Sequence, residues 1–241
     1  MNRTAVLSDI HGNLPALEAV IADAEARGCT GFANLGDILS GPLWPRETAE
    51  FLMPLAWPTI AGNHERQVLT DPEDRIGRSD RFTRAACTEA QLAWLAAMPL
   101  EMNLDGAWCT HARPGNDHEY LMETVTEAGL RAASDGEIVD RLGDVDHPLV
   151  LHGHSHLPSK RVLPDGRIVA NPGSVGLPAY NDNRPFDHVV ETGSPQARYL
   201  ILENGEIEFI AVDYDHECAA RRAEKNDAPD WAGFLRTGRA R

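Results

Sequence analysis

The feature that most constrains the fold is a strand–loop–helix unit that recurs in the first part of the chain. The apolar run Thr4 to Ser8 leads into a polar loop and then into a helical pattern that continues to Gly28. Gly31 to Leu35 and Trp57 to Ile60 are similar apolar runs, and each also leads into a polar loop. Three predicted strands are thus followed by three polar loops, an arrangement typical of α/β folds.

The later part of the chain is richer in strand patterns. After a helical stretch from Thr88 to Met98, the predicted strands are centred on Ala107–Cys109, Leu149–Leu151, Arg161–Leu163 and Ile168–Ala170. The turn dipeptide Asn204-Gly205 then predicts a hairpin between two further strands. Alternating strands and helices followed by a strand-rich half predict an α/β fold, a layered α/β/β/α sandwich of two mixed β-sheets flanked by helices.

The length of 241 residues and the hydrophobic content of 42% fit one domain over residues 1–241. The polar segment 118–146 is interpreted as an insertion or lid, and 213–241 as a charged C-terminal surface helix with an Arg-rich tail. The four cysteines form no CxxC pair, so we expect reduced thiols in the core. The oligomeric state stays open, with a homo-oligomer among the alternatives.

The formal net charge of −15 argues against extended nucleic acid and anionic membranes as partners, because the summed field repels polyanions. We expect a small phosphate-sized anion to need a local cationic site. The chain shows neither a basic segment followed by an apolar run at its start nor an apolar stretch long enough to cross a bilayer. A cytoplasmic location is therefore expected.

Metal-capable side chains fall just after the predicted strands, where ligand sites of α/β sheets gather. A single Asp or His there is more often a helix cap or a solvated loop residue, but five separate loops agree. Nitrogen and oxygen ligands of this kind suit manganese, iron, zinc or cobalt rather than calcium or copper(I). The side chains are Asp9, His11, Asp37, Asn63, His64, His111, His154 and His156.

The order of these motifs resembles the signature of the calcineurin-like metallophosphoesterase superfamily. The motifs are Asp9-x-His11, Gly36-Asp37, Gly62-Asn63-His64-Glu65, the lone His111 and Gly153-His154-Ser155-His156. Residues 36–42 and 171–178 are similar to the small bacterial and archaeal phosphodiesterase-like branch. The resemblance extends roughly from Thr4 to Val212.

The resemblance implies two divalent transition-metal ions, manganese first, with iron, zinc, cobalt or nickel as alternatives. It places Asp9, His11 and His156 on the first ion, Asn63, His111 and His154 on the second, and Asp37 between both. Two such ions, about 3.5–4 Å apart, activate water for attack on phosphorus and stabilise the attacking and leaving oxygens.

His64 resembles the histidine that stabilises the transition state and protonates the leaving oxygen, a task that suits an imidazole. The alternative is a partner that only orients other groups by hydrogen bonding. Arg113 and Arg66 each lie two residues beyond a motif histidine, and Arg113 is a substrate-binding candidate through its planar donor fork. Asn63 is predicted to bind the substrate as well as to coordinate the second metal ion. Tyr180 is expected in core or surface packing, with a place in the lining of a substrate pocket as the alternative.

The substrate class is narrowed by departures from the family pattern. Protein serine/threonine phosphatases typically have Asp-Arg-Gly a few positions after Gly-Asp, whereas Asp37 is followed by Ile-Leu-Ser-Gly-Pro. Glu65 resembles the phosphatase group and keeps a dinucleoside polyphosphate substrate open. The leading prediction is hydrolysis of small phosphodiesters, cyclic or dinucleotide-like. Phosphomonoesterase, dinucleoside polyphosphate hydrolase, DNA nuclease and noncatalytic scaffold are the alternatives.

Overall fold

A computed structural model of the chain describes residues 3–240, so the two ends of the predicted domain, 1–2 and 241, lie outside the described residues. The strands are β1 (Thr4–Leu7), β2 (Gly31–Asn34), β3 (Glu101–Leu104), β4 (Ala107–Thr110), β5 (Glu123–Thr126), β6 (Gly129–Ala132), β7 (Leu149–Leu151), β8 (Ser159–Val162), β9 (Ile168–Asn171), β10 (Ala179–Asp182), β11 (His188–Glu191), β12 (Ala197–Glu203) and β13 (Glu206–Val212). The helices are α1 (Leu14–Ala26), α2 (Pro45–Leu52), α3 (Asn63–Thr70), α4 (Arg78–Ala86), α5 (Glu89–Ala96), α6 (Asp135–Leu142), α7 (His216–Lys225) and α8 (Pro229–Thr237).

Two mixed sheets form the centre of the molecule. The first has the order β13-β12-β1-β2, with β1 parallel to β2 and antiparallel to β12. The second has the order β3-β4-β7-β9-β8, with β4, β7 and β9 parallel. Two separate hairpins, β5-β6 and β10-β11, complete the strands. The predicted architecture of two mixed sheets is confirmed.

Alternating side chains explain how the sheets stack. In β1, Val6 packs between the two sheets, whereas Ala5 and Leu7 pack with α1 on the outer face. In β7, Leu149 and Leu151 face the inter-sheet cluster, while Val150 packs with α6. Because successive strand residues point to opposite faces, each central strand is apolar on both sides and must be covered on both. The result is the predicted α/β/β/α layering.

Other parts of the structure can also be compared with the sequence predictions. The predicted strand Trp57 to Ile60 is only an isolated bridge between Asn34 and Thr59, since Pro58 has no N–H to donate to a ladder. Asn204 and Gly205 have φ of 56° and 80°, as the predicted hairpin turn requires. Segment 118–146 contains β5, β6 and α6, and segment 213–240 contains α7 and α8. None of the helices in residues 3–240 has the length and apolar character needed to span a membrane.

Candidate metal centre

Five loops meet at one edge of the sandwich, beyond the carboxyl ends of parallel strands. They contribute Asp9 and His11 after β1, Asp37 after β2, Asn63 at the start of α3, His111 after β4, and His154 and His156 after β7. Within the first sheet, the backbone N–H of His11 donates to the carbonyl of Asp37 at 3.0 Å. Between the sheets, the N–H of His154 donates to Asp9 Oδ2 at 3.1 Å. These bonds hold the loops in register.

The first cluster consists of Asp9, His11 and His156, all buried. Each offers a ligand atom, and the three atoms lie within 4.8 Å of one another. His11 Nε2 lies 3.2 Å from His156 Nε2, which lies 3.2 Å from Asp9 Oδ1. The sequence assigned these three residues to one metal ion, and the structure brings them together.

The second cluster consists of Asp37, His111 and His154, whose ligand atoms also lie within 4.8 Å of one another. His111 Nε2 is 3.1 Å from Asp37 Oδ2 and 3.2 Å from Asn63 Oδ1. The structure thus brings Asn63 to the histidine with which the sequence grouped it. The role of Asp37 as a bridge between two ions stays a prediction.

Backbone carbonyls determine which nitrogen of each histidine is free. The Nδ1 atoms of His11 and His156 bond the carbonyls of Ser40 at 2.6 Å and Leu177 at 2.7 Å. With protons on Nδ1, both Nε2 atoms present lone pairs 3.2 Å apart beside the Asp9 carboxylate. Lone pairs this close repel unless a cation lies among them, so the donor set fits a divalent metal ion.

The second cluster shows the same pattern. His111 Nδ1 bonds the carbonyl of Leu35 at 2.7 Å, which leaves Nε2 toward Asp37 and Asn63. His154 instead bonds the carbonyl of His118 through Nε2, at 2.8 Å, which leaves Nδ1 free. Lone pairs of imidazole, carboxylate and amide therefore converge, and this set also fits a divalent ion.

The protonation states agree with metal binding. Burial, helped by the neighbouring His156, lowers the pKa of His11 to about 4, and burial lowers that of His154 well below its usual value. Burial opposes ionisation of Asp9, but the charge of a protonated His156 outweighs burial and lowers the pKa of Asp9 to about 2, and a bound cation would act in the same direction. Neutral imidazoles and ionised carboxylates are the forms that coordinate metals.

His111 differs from the other cluster histidines. Burial disfavours its charged form, yet the Asp37 carboxylate outweighs burial and raises the pKa of His111 to about 9. A proton on Nε2 and a divalent ion would serve the same purpose, which is to balance the buried Asp37 charge. The two therefore compete for the same position.

The backbone at the ligands is unusual. Nine non-glycine residues among residues 3–240 have positive φ, and five of them are candidate ligands. These five are Asp9 (54°), His11 (51°), Asp37 (54°), His154 (66°) and His156 (57°). Left-handed backbone in non-glycine residues costs roughly 1–2 kcal/mol per residue and concentrates at functional sites. The strain marks this edge of the sheets as the site.

Glycines in the motifs make room for the ligands. A Cβ on Gly62 would lie 2.2 Å from Asp37 Oδ1, and a Cβ on Gly153 would lie 2.8 Å from Asp9 Oδ2. Both distances are shorter than any van der Waals contact. The absence of a side chain at these glycines therefore permits the close approach of the backbone to the ligands.

Glu65 ties two of the loops together. Its carboxylate is buried and accepts the backbone N–H groups of Asp37, Ile38 and Gly62 at 2.8, 2.8 and 2.7 Å. Charge-assisted bonds of this kind contribute about 1.5–3 kcal/mol each. Glu65 thus fixes the loop after β2 against the start of α3, where Asn63 and His64 lie.

His64 lies beside the clusters with its ring 5.3 Å from the His11 ring. Its Nδ1 lies 2.7 Å from Asp80 Oδ1, and this oxygen also accepts the Ser40 hydroxyl at 2.6 Å. Burial disfavours the charged imidazole, but the Asp80 and Asp37 carboxylates outweigh burial and raise the pKa of His64 to about 10. The two carboxylates therefore favour the protonated form of the His64 ring.

A cavity of about 510 Å³ opens above the clusters. Its lining includes His11, Asp37, Asn63, His64, His154 and His156. This volume lies in the usual range for small-molecule sites, about 300–1,000 Å³. Tyr180, expected in packing, also lines the cavity, and its hydroxyl bonds Tyr120 at 2.6 Å.

The predicted arginine is not part of the lining. Arg113 forms an ion pair with Glu119, and Arg66 forms one with Asp117 at 2.6 Å. Arg75 and Arg184 line the cavity instead, and their guanidinium groups have no ion pair within residues 3–240. No motif in the sequence identifies these two arginines, because they reach the cavity only through the folding of separate loops.

Asp80 and Trp231 are two more lining residues that the sequence did not identify. Asp80 lies on α4 and Trp231 on α8, far in sequence from every motif. A polar Asp in the first turn of a helix normally indicates a favourable helix-dipole position, so Asp80 carries no distinctive signal.

Paired histidine–carboxylate clusters at the carboxyl edge of an α/β/β/α sandwich define a protein of the metallophosphoesterase type. The family comparison agrees: the model for calcineurin-like phosphoesterases matches residues 2–190. The chain belongs to the calcineurin-like phosphoesterase family. The superfamily predicted from the motifs is confirmed.

Individual relatives show the same overall likeness. The chain is 30% identical to the uncharacterized protein MJ0912 of Methanocaldococcus jannaschii over 256 residues, covering 95% of each chain. A metallophosphoesterase from Sphaerobacter thermophilus matches with a TM-score of 0.77 and 24% identity over 99% of both chains. The hypothetical protein PH1004 from Pyrococcus horikoshii OT3 matches with a TM-score of 0.75 and 18% identity over all of both chains. The two structures share the fold.

Proposed function

We propose that the protein hydrolyses small phosphodiesters, cyclic or dinucleotide-like, with two divalent transition-metal ions, manganese foremost. The observation that carries the proposal is the convergence of both clusters and His64 on one small cavity. Asp9, His11 and His156 would hold one ion, and Asn63, His111 and His154 the other, with Asp37 shared. Bound ions would supply Lewis-acid activation of water and of the phosphate oxygens.

His64 has the role of proton donor in this proposal. Its Nδ1 is engaged by Asp80, so Nε2 is the nitrogen available to a leaving oxygen. Asp80 holds the ring and favours the protonated form, as a carboxylate does for an orienting hydrogen bond. A leaving alkoxide takes its proton from Nε2 as the phosphorus–oxygen bond breaks.

A dinucleoside polyphosphate is a second candidate substrate, favoured by Arg75 and Arg184. These unpaired guanidinium groups line a cavity that also contains Asp71, Asp182 and Asp230. Planar guanidinium forks suit phosphate oxygens beyond the one being attacked. An additional phosphate would satisfy them, whereas a simple diester would leave them in water.

The remaining expectations also stay proposals. We propose a small phosphate ester as the partner rather than extended nucleic acid or membrane, with the net charge of −15 and the small cavity as support. The four cysteines form no disulfide, which supports a reducing, cytoplasmic location. A homo-oligomer is compatible with the chain.

Hydrolysis of a substrate panel with several metals tests the proposal. Bis- and mono-p-nitrophenyl phosphate, cyclic nucleotides and dinucleoside polyphosphates are assayed with Mn²⁺, Fe²⁺, Zn²⁺, Co²⁺ and Ni²⁺. We expect diesters to be cleaved fastest in Mn²⁺. His64→Ala should retain metal and lose most turnover of poor leaving groups, while His216→Ala on α7 serves as the matched control. Absence of hydrolysis with every metal would refute the proposal and favour a noncatalytic scaffold, and degradation of DNA would favour a nuclease.

The arginine assignment has its own test. Arg75→Ala with Arg184→Ala should raise KM for dinucleoside polyphosphates more than for bis-p-nitrophenyl phosphate, with Arg161→Ala on β8 as the surface control. Arg113→Ala tests the sequence prediction that Arg113 binds the substrate. An unchanged KM in this variant would contradict that prediction.

A further inference from the structure

The C-terminal helix α8 forms one wall of the cavity. Asp230, Trp231 and Phe234 of this helix are lining residues, although the family model ends at residue 190. The helix is fixed to α7 by Arg236, which pairs with Glu217 at 2.8 Å and with a second carboxylate of α7. Residues outside the matched family region therefore shape the site.

Two of the three lining residues of this wall, Trp231 and Phe234, are aromatic. Phe234 is 7% exposed and packs in one cluster with Leu177, against which Trp231 also packs. The Trp231 indole stands edge-on to the His11 ring, with ring centroids 5.9 Å apart. Trp231 is half-buried, and its N–H has no hydrogen-bond partner within residues 3–240. An aromatic surface thus remains beside the first cluster.

The wall formed by α8 lies on the same side of the cavity as His64, the proposed proton donor. Ser40 bonds Asp80, which in turn holds His64. The next residue, Gly41, is packed so closely against Trp231 that an added Cβ would lie 3.1 Å from the indole ring. The indole and His64 therefore flank the same loop after β2, and both adjoin the His11 ring, at 5.9 and 5.3 Å.

We propose that Trp231 is a specificity-determining residue that packs against a planar aromatic group on the leaving oxygen of the substrate, as in an aryl or nucleoside ester. The inference rests on the proposed phosphoesterase function. When water adds to phosphorus, the bond to the leaving oxygen breaks and that oxygen takes the proton of His64. A ring carried by this oxygen would extend away from the metal clusters on the His64 side, where Trp231 lines the cavity.

Binding of two matched inhibitors tests the proposal without turnover. Benzylphosphonate and cyclohexylmethylphosphonate have similar bulk, but only the first is planar beyond its methylene. Their dissociation constants are measured by calorimetry on the full-length, manganese-loaded protein. We expect the wild type to bind benzylphosphonate roughly 10-fold more tightly, the usual size of an aromatic stacking preference.

The variants separate stacking from folding. Trp231→Leu should reduce the preference to about 2-fold or less, and Trp231→Phe should retain most of it. Trp44→Leu is the matched control, because Trp44, like Trp231, packs against the buried apolar residues that α7 and α8 form with Leu43, but Trp44 is not a lining residue. Its preference should stay at the wild-type value.

The outcomes distinguish this inference from the proposed function. Equal affinities in the wild type, an unchanged preference in Trp231→Leu, or a parallel loss in Trp44→Leu would each overturn the role of Trp231. Hydrolysis of bis-p-nitrophenyl phosphate is measured on the same samples. A clear binding preference without any hydrolysis would refute the proposed function alone, whereas hydrolysis without binding of either analogue would overturn the role of Trp231 alone.

Discussion

Asp80 holds His64 through one short hydrogen bond, so Asp80→Asn tests whether His64 acts as a proton donor. Asn keeps an oxygen that can accept both the His64 ring N–H and the Ser40 hydroxyl, and only the charge is removed. A hydrogen bond to a charged group contributes about 1.5–3 kcal/mol and a neutral one about 0.5–1.5 kcal/mol. The difference of roughly 1–2 kcal/mol corresponds to about a 5- to 30-fold lower kcat.

The assay compares leaving groups at saturating substrate. A dialkyl phosphate needs the proton and should show the full loss, whereas bis-p-nitrophenyl phosphate has a stable leaving anion and should be cleaved at nearly the wild-type rate. Metal content and thermal stability are measured alongside, with Asp144→Asn as the surface control. The same loss on both substrates, or loss of metal together with rate, would show that Asp80 has only a structural role.

Three further perturbations address the site and its surroundings. Gly62→Ala should lower stability by roughly 1–3 kcal/mol and reduce bound metal in thermal and metal-content measurements, because its Cβ would overlap Asp37 Oδ1. Gly136→Ala is the control, since nothing lies within 4 Å of its Cβ. Removing metal with a chelator should lower Tm, and Mn²⁺ at 100 times its Kd should restore about 2.7 kcal/mol; a Tm insensitive to both would contradict the metal site. Burial raises the pKa of Glu123 from 4.5 to about 7, so its contribution is fully present below pH 4.5 and is lost as the pH rises through 7. This loss amounts to about 3 kcal/mol in urea unfolding. Glu123→Gln should abolish it, and an unchanged pH dependence would exclude Glu123 as its source.

The ligands were predictable because their signals are local. Asp9, His11 and Asp37 follow β1 and β2 directly, and parallel neighbouring strands end at the same sheet edge, so sequence order alone predicts their meeting. Glycines within the motifs indicate where neighbouring loops approach each other closely. Short apolar runs likewise predict β1 and β7, whose residues face apolar layers on both sides.

The remaining features depend on distances that local patterns do not encode. Arg113 was chosen for its nearness to His111 in sequence, but Glu119, six residues further on, neutralises it. The contact of Asp80 with His64 depends on how α4 packs against α3, and the position of Trp231 depends on how α8 packs on α7. These contacts result from tertiary packing between elements with ordinary sequences.

The left-handed backbone at the ligands connects the fold to the proposed chemistry. Five residues at roughly 1–2 kcal/mol each would cost several kcal/mol, and such strain persists only where other contacts determine the conformation. Here the contacts belong to the protein itself: the loop after β1 bonds the loop after β2, and Glu65 bonds three backbone N–H groups. Protein contacts therefore hold the backbone of these ligand loops in place. A site arranged in advance needs little reorganisation on binding, so more of the intrinsic affinity for metal and phosphate is retained.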